Sequence, residues 1–156
     1  MKCWIYIFRH GQTYFNENRR FTGWKDSTLT PRGIRDAKTI ARKLKNKHID
    51  VAFQTRLSRS KDTLKEVLRY HPECKKIFTD DRMIERSYGK LEGFKHDEII
   101  KKYGLKQFNK WHRGFSDRPP NGESFADVEK RVGKFIIFLK NYIKKNKVNV
   151  AISGSG

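Results

Sequence analysis

Apolar residues recur along this chain with two spacings. Short runs of β-branched and aromatic residues predict strands at Lys2–Phe8, Asp50–Gln54, Lys76–Thr79 and Val148–Ile152. Between them the spacing lengthens to that of a helix. Ile34, Ala37, Ile40, Ala41 and Leu44 predict a helix from Pro31 to near Lys47, with Thr30 as N-cap and Pro31 at the first helical position. Leu64, Val67 and Leu68 predict a second over Ser58–Tyr70, stopped by His71-Pro72. Asp97–Tyr103 reads as a short helix ended by Gly104, followed by another turn carrying Phe108 and Trp111. Ser124 caps a long helix to about Asn146, with Asp127 as its capping-box partner. Val128, Val132, Phe135, Ile136, Leu139 and Ile143 form its predicted core stripe. Gly11–Thr30 reads as a long polar loop, Asp80–Gly93 as irregular, and "SDRPPNGES" as a plain loop.

Strands alternating with helices predict an α/β fold: a three-layer sandwich with a mainly parallel sheet and helices on both faces. The first strand is expected to be buried. Ligands of such sheets sit outside the carboxyl ends of the strands. The 156 residues fit one domain, 1–156, with a real core. The apolar runs are too short to cross a bilayer, and no membrane partner is expected. The N-terminal run reads as a strand rather than a signal peptide. Cys3 and Cys74 make neither a disulfide framework nor a metal cluster, so a reduced, cytoplasmic location is the default.

Charge changes the picture only partly. Lys and Arg total 36 against 17 Asp and Glu, a net charge of +19. Such a surface attracts polyanions: RNA, anionic lipid or phosphorylated metabolites. The lysines are scattered over predicted helices rather than gathered in a tail, which equally suits a solubility role. Nucleic-acid binding is therefore expected only as non-specific charge attraction.

The strand ends carry the candidate chemistry. Arg9 and His10 follow the first strand, Arg59 follows the second, and Glu85 and Arg86 follow the third. An arginine offers a planar fork of donors suited to phosphate. A histidine beside it is a nucleophile toward phosphorus if a bond from its other nitrogen fixes the tautomer. Gly11 is read as letting the backbone approach a bound anion, with Thr13 and Asn16 adding donors. Several arginines around one carboxyl suit phosphoryl transfer, the cations stabilising the oxygens and the carboxyl moving a proton.

The segments "FRHGQTYFN", "RRFTGWKDSTLTPRG", "ERSYGKLEG" and "KYG…KWHRGF…PP…ES" together resemble the histidine phosphatase superfamily. They are most similar to its cofactor-dependent phosphoglycerate mutases, over nearly the whole chain. The Arg-His-Gly motif identifies only the superfamily, whereas "FTGW", "ERSYG" and "WHRGF" together are more specific. The resemblance implies interconversion of 3- and 2-phosphoglycerate in glycolysis and gluconeogenesis, primed by 2,3-bisphosphoglycerate and needing no metal. It implies His10 as the phosphohistidine nucleophile, Arg9 and Arg59 as phosphoryl clamps, and Glu85 as acid and base. It puts Asn16, Thr22, Gly23, Arg86, Tyr88, His96, His112 and Arg113 around a small phosphorylated metabolite.

Four departures keep other readings open. His96, after Lys95, stands where the family has a substrate-binding Lys, and His112 stands where it has the first of two arginines. Only "SDRPPNG" fills a stretch where many mutases carry a long covering insertion, which favours water as acceptor. The family's second catalytic His falls on Ser155, in a closing "GSG" that resembles a linker. The family continues there with an Asn and at least one more helix, so the domain is expected to lack that segment and its activity to be impaired. The alternatives are a histidine phosphatase acting on small phosphate esters and a non-catalytic phosphate- or RNA-binding domain. The sequence leaves the oligomeric state open, a homodimer included.

Overall fold

The computed structural model describes residues 1–155. Four strands, β1 (Ile5–Arg9), β2 (Val51–Gln54), β3 (Lys76–Thr79) and β4 (Val150–Gly154), form one sheet in the order β1-β4-β2-β3. Every pairing is parallel, with Ile5 opposite Val150 and Val51 opposite both Val150 and Lys76. The sequence-predicted α/β sandwich is thus observed. Among the described residues, no helix is long and apolar enough to cross a membrane.

Helices α2 (Pro31–Leu44) and α3 (Ser58–Leu68) cover one face. Ala41, Leu64 and Val67 pack there against Ala52 and Ala151, with Tyr6 and Phe8 of β1 at the margin. Helix α6 (Phe125–Asn146) covers the other face, setting Phe135 and Leu139 on Val51, Phe53, Val150 and Ile152. Helices α4 (His96–Tyr103) and α5 (Leu105–Arg113) form an annex whose core is Phe21, Leu91, Ile99 and Phe108. The predicted caps are present. Thr30 accepts from the Gly33 N–H ahead of Pro31, and Ser124 and Asp127 close a capping box.

The polar loop after β1 is not wholly irregular. A one-turn helix, α1 (Tyr14–Glu17), is capped by Thr13 with Asn16 as its box partner. The signal was Thr13 followed three residues later by an amide, obscured by the lack of an apolar stripe. The single turn predicted around Phe108 extends to nine residues.

Two burial expectations are corrected. β1 is an edge strand rather than a buried one, with Ile5 45% and Ile7 74% exposed. Its other face, Tyr6 and Phe8, is covered by the α2–α3 layer. Helix α6 lies over β2 and β4, so Ile136 of the predicted stripe is also exposed. Periodicity shows which residues share a face but not which faces have neighbours.

Candidate active site

The carboxyl ends of all four strands converge, as the parallel order requires. Arg9 ends β1 and His10 follows it. The His10 N–H donates to the Gly154 carbonyl at 3.1 Å, which locks the residue beside the end of β4. Ser155 comes next after that strand, and its hydroxyl reaches the Glu85 carboxyl.

His10 is 6% exposed. Its Nδ1 lies 2.7 Å from the Gly11 carbonyl oxygen. A carbonyl can only accept, so Nδ1 carries the hydrogen and Nε2 keeps a free lone pair. Burial pushes the imidazole pKa down to about 4, helped by the charges of Arg59 and Arg9 and opposed by the Gly11 carbonyl. A neutral ring with a fixed tautomer is the form a nucleophile needs.

Gly11 also has a packing role. A Cβ at Gly11 would lie 2.1 Å from the Gly33 carbonyl oxygen, and one at Gly33 would lie 2.0 Å from that of Gln12. The two glycines let the end of β1 touch the start of α2. The Gly11 N–H donates to the Thr63 hydroxyl of α3 at 3.2 Å. The missing side chains set the height of the loop against the helices, while Gly11 still forms part of the cavity wall.

Arg59, near the start of α3, is only 1% exposed. Its Nη2 donates to the Gly23 carbonyl at 2.7 Å and its Nη1 to that of Lys25 at 3.3 Å. Its Nε is buried and has no partner among the described residues. Leaving a buried donor unpaired costs about 1–3 kcal/mol, and more on a charged group. The clamp is therefore not a free fork. Backbone carbonyls orient the guanidinium, and its Nε edge stays buried and unpaired.

Glu85 faces these cations. Burial raises its carboxyl pKa, against the opposing pull of Arg59, the Arg86 N–H, Arg9 and Ser155. Trp24 Nε1 donates to the Glu85 carbonyl at 2.8 Å, and Arg131 Nη2 donates to it at 3.1 Å. The Glu92 carboxylate joins the same segments, accepting from the N–H groups of Trp24, Lys25 and Tyr88. Gly23, at φ +56°, makes room for it: a Cβ there would sit 2.2 Å from Glu92 Oε1. Sequence reasoning missed Trp24, Glu92 and Arg131. Trp24 stood inside the quoted "FTGW" segment, whereas nothing local marks Arg131.

A cavity of about 490 Å³ opens at this end of the sheet. Arg9, His10 and Glu85 line its base. Asn16, Thr22, Gly23, Tyr88, His96 and His112 line its walls. Asn16 uses its amide oxygen on the Thr13 N–H and hydroxyl. His96 and His112 are held below the usual histidine pKa, first by burial and then by nearby cations, with His112 also acting on His96. Four expected residues are not on the cavity wall: Arg59, Ser155, Arg86 and Arg113. Arg86 is buried, its guanidinium donating to the carbonyls of Glu123, Trp111, Asp117 and His112. It ties the acid segment to α5 and the loop before α6. Arg113 ends α5 exposed and outside the cavity wall.

This arrangement can accept a phosphate monoester, present a nitrogen lone pair to phosphorus and return a proton to the leaving oxygen. A family model, the histidine phosphatase superfamily (branch 1), matches residues 5–154. The chain belongs to that superfamily. It is similar to the 2,3-bisphosphoglycerate-dependent phosphoglycerate mutase of Pseudoalteromonas atlantica, 32% identical over 88% of this chain and 70% of that protein. It is also similar to the phosphoglycerate mutase of Schizosaccharomyces pombe, 34% identical over 97% of this chain and 74% of that one. Among solved structures, the histidine phosphatase fold is shared with the Bacillus anthracis phosphoglycerate mutase (TM-score 0.79, 25% identity, 97% of this chain and 74% of that one). It is equally shared with the α-ribazole phosphatase of Shigella flexneri (TM-score 0.81, 25% identity, 97% and 73%). The superfamily thus includes both mutases and phosphatases with this architecture.

Proposed function

We propose that this chain is a phosphoglycerate mutase that interconverts 3- and 2-phosphoglycerate through a phosphorylated His10. The observation that carries the reading is the His10 ring, Nδ1–H on the Gly11 carbonyl and Nε2 free, beside Arg9 on the cavity wall and within the field of the buried Arg59. Names among the curated relatives support the mutase reaction over others of the superfamily.

The Nε2 lone pair forms a bond to phosphorus as the phosphorus–oxygen bond of the ester breaks. The charges of Arg9 and of the buried Arg59 stabilise the phosphoryl oxygens. Glu85, its carboxyl pKa raised, gives its proton to the departing oxygen, then takes one from the hydroxyl that attacks next. The Gly11 carbonyl stabilises the positive charge that develops on the ring. The cation-lined cavity suits 2,3-bisphosphoglycerate, with Arg9 and Asn16 on the wall to hold one phosphate and the buried Arg59 adding its charge. When bound, that compound supplies the phosphoryl group that loads His10.

Incubation with labelled 2,3-bisphosphoglycerate is expected to give an acid-labile, base-stable adduct that disappears in His10→Ala. An adduct that survives in His10→Ala would overturn the reading. A second reading, a phosphatase on small phosphate esters, is favoured by the brief Asp117–Gly122 turn that alone fills the place of a longer cover. Release of inorganic phosphate from 3-phosphoglycerate, without 2-phosphoglycerate formation and without need of the bisphosphate, would establish it instead.

A further inference from the structure

The cavity has a second cationic corner, away from His10. Residues Arg19 to Phe21 lie antiparallel to Gly93–His96: the Phe21 N–H donates to the Phe94 carbonyl and the His96 N–H to the Arg19 carbonyl, at 3.0 and 2.9 Å. This pairing sets Arg19 next to the His96 ring, which itself lies 5.2 Å from the His112 ring. Arg19, Arg20, His96 and His112 all line the cavity.

Their states differ. Burial, and then the charges around them, lower the pKa of both imidazoles. His112 Nδ1 is buried with no partner among the described residues. Arg20 is docked, its Nη1 donating to the Gly93 carbonyl at 2.6 Å. The Arg19 guanidinium makes no hydrogen bond or ion pair among the described residues. Its backbone is held in the left-handed region, φ 52°, by the Asn16 carbonyl on one side and the His96 N–H on the other. That conformation is uncommon for a non-glycine residue and is retained only where the surroundings enforce it. Arg19 thus lines the cavity that Arg9 also lines, and its charge is felt at the His96 ring.

We propose that Arg19 is the specificity-determining cation of this site: it holds the second anionic group of a phosphate monoester, on the wall that it shares with His96 and His112. The substrate class that follows is a short phosphate ester with a carboxylate or second phosphate at its far end. This rests on the phosphoryl-transfer reading given above. Arg113, outside the cavity wall, does not supply that charge in this arrangement.

The test is calorimetric binding of inorganic phosphate and of 3-phosphoglycerate to the wild-type chain, Arg19→Asn and Arg19→Asn/His112→Arg. Asparagine tolerates the left-handed backbone, so the variant removes the guanidinium and keeps the turn. The wild type is expected to prefer 3-phosphoglycerate, and Arg19→Asn to reduce that preference by about tenfold. The added His112→Arg should restore much of it by returning a fixed cation to the same wall. If Arg19→Asn keeps the full preference for 3-phosphoglycerate, the role assigned to Arg19 is wrong. A double variant no better than Arg19→Asn would equally count against a purely electrostatic role. If the wild type binds phosphate but shows no preference for 3-phosphoglycerate, the functional reading fails instead, which keeps the two failures apart.

Discussion

His10 makes the protein acid-sensitive in a calculable way. Its pKa is about 4 in the folded chain against 6.5 for an ordinary histidine. The folded value is the lower one, so between those limits the unfolded chain binds more protons and is favoured by acid. The contribution to stability is whole above pH 6.5 and is lost as the pH falls through 4. Most of it is gone by pH 4.5, where the difference amounts to about 2.5 kcal/mol. Other groups titrate in the same window, and a variant separates them. Wild type and His10→Gln, which has no titrating ring, are unfolded in urea at pH 7.5 and at pH 4.5. The wild type should lose about 2.5 kcal/mol more than the variant between the two conditions. Equal losses would mean that His10 is not desolvated as described, and the neutral, tautomer-fixed nucleophile would fall with it.

Arg59→Lys should not rescue function, because an ammonium cannot reproduce the planar fork held on the Gly23 and Lys25 carbonyls. We expect a loss of about 2–4 kcal/mol in transition-state stabilisation, read from kcat/KM, and near-normal turnover would contradict the geometry. Gly23→Ala forces a Cβ against the Glu92 carboxylate at a left-handed φ. It should destabilise the fold by about 2 kcal/mol in denaturant and disturb turnover as well, since Glu92 joins the Trp24 and Tyr88 segments. Ser155→His puts an imidazole beside Glu85, where the serine hydroxyl offers only a neutral donor. Steady-state turnover with 2,3-bisphosphoglycerate should rise by about a hundredfold, and an unchanged rate would remove that position from the chemistry.

Much of this site was legible in one dimension. A parallel α/β sheet brings strand ends together, so Arg9, His10, Glu85 and the start of α3 had to meet wherever the chain folded as its pattern directs. Caps were equally local: Thr30-Pro31 and Ser124 with Asp127 act within one turn and need no distant partner. Tertiary structure decided what each group is free to do. Among the described residues it gave β1 a single neighbour, β4, and laid α6 over β2 and β4, which leaves Ile5 and Ile7 exposed. It turned Arg86 into a strut, because four backbone carbonyls from distant segments take its donors, and left Arg59 with one buried donor unpaired. It set Gly11 against Gly33, and it placed Arg19, inconspicuous in a basic sequence, on the cavity wall. Residue type and spacing determine what a side chain is able to donate. Only contacts between segments far apart in sequence determine which of those donors remain unpaired, and function depends on the unpaired ones.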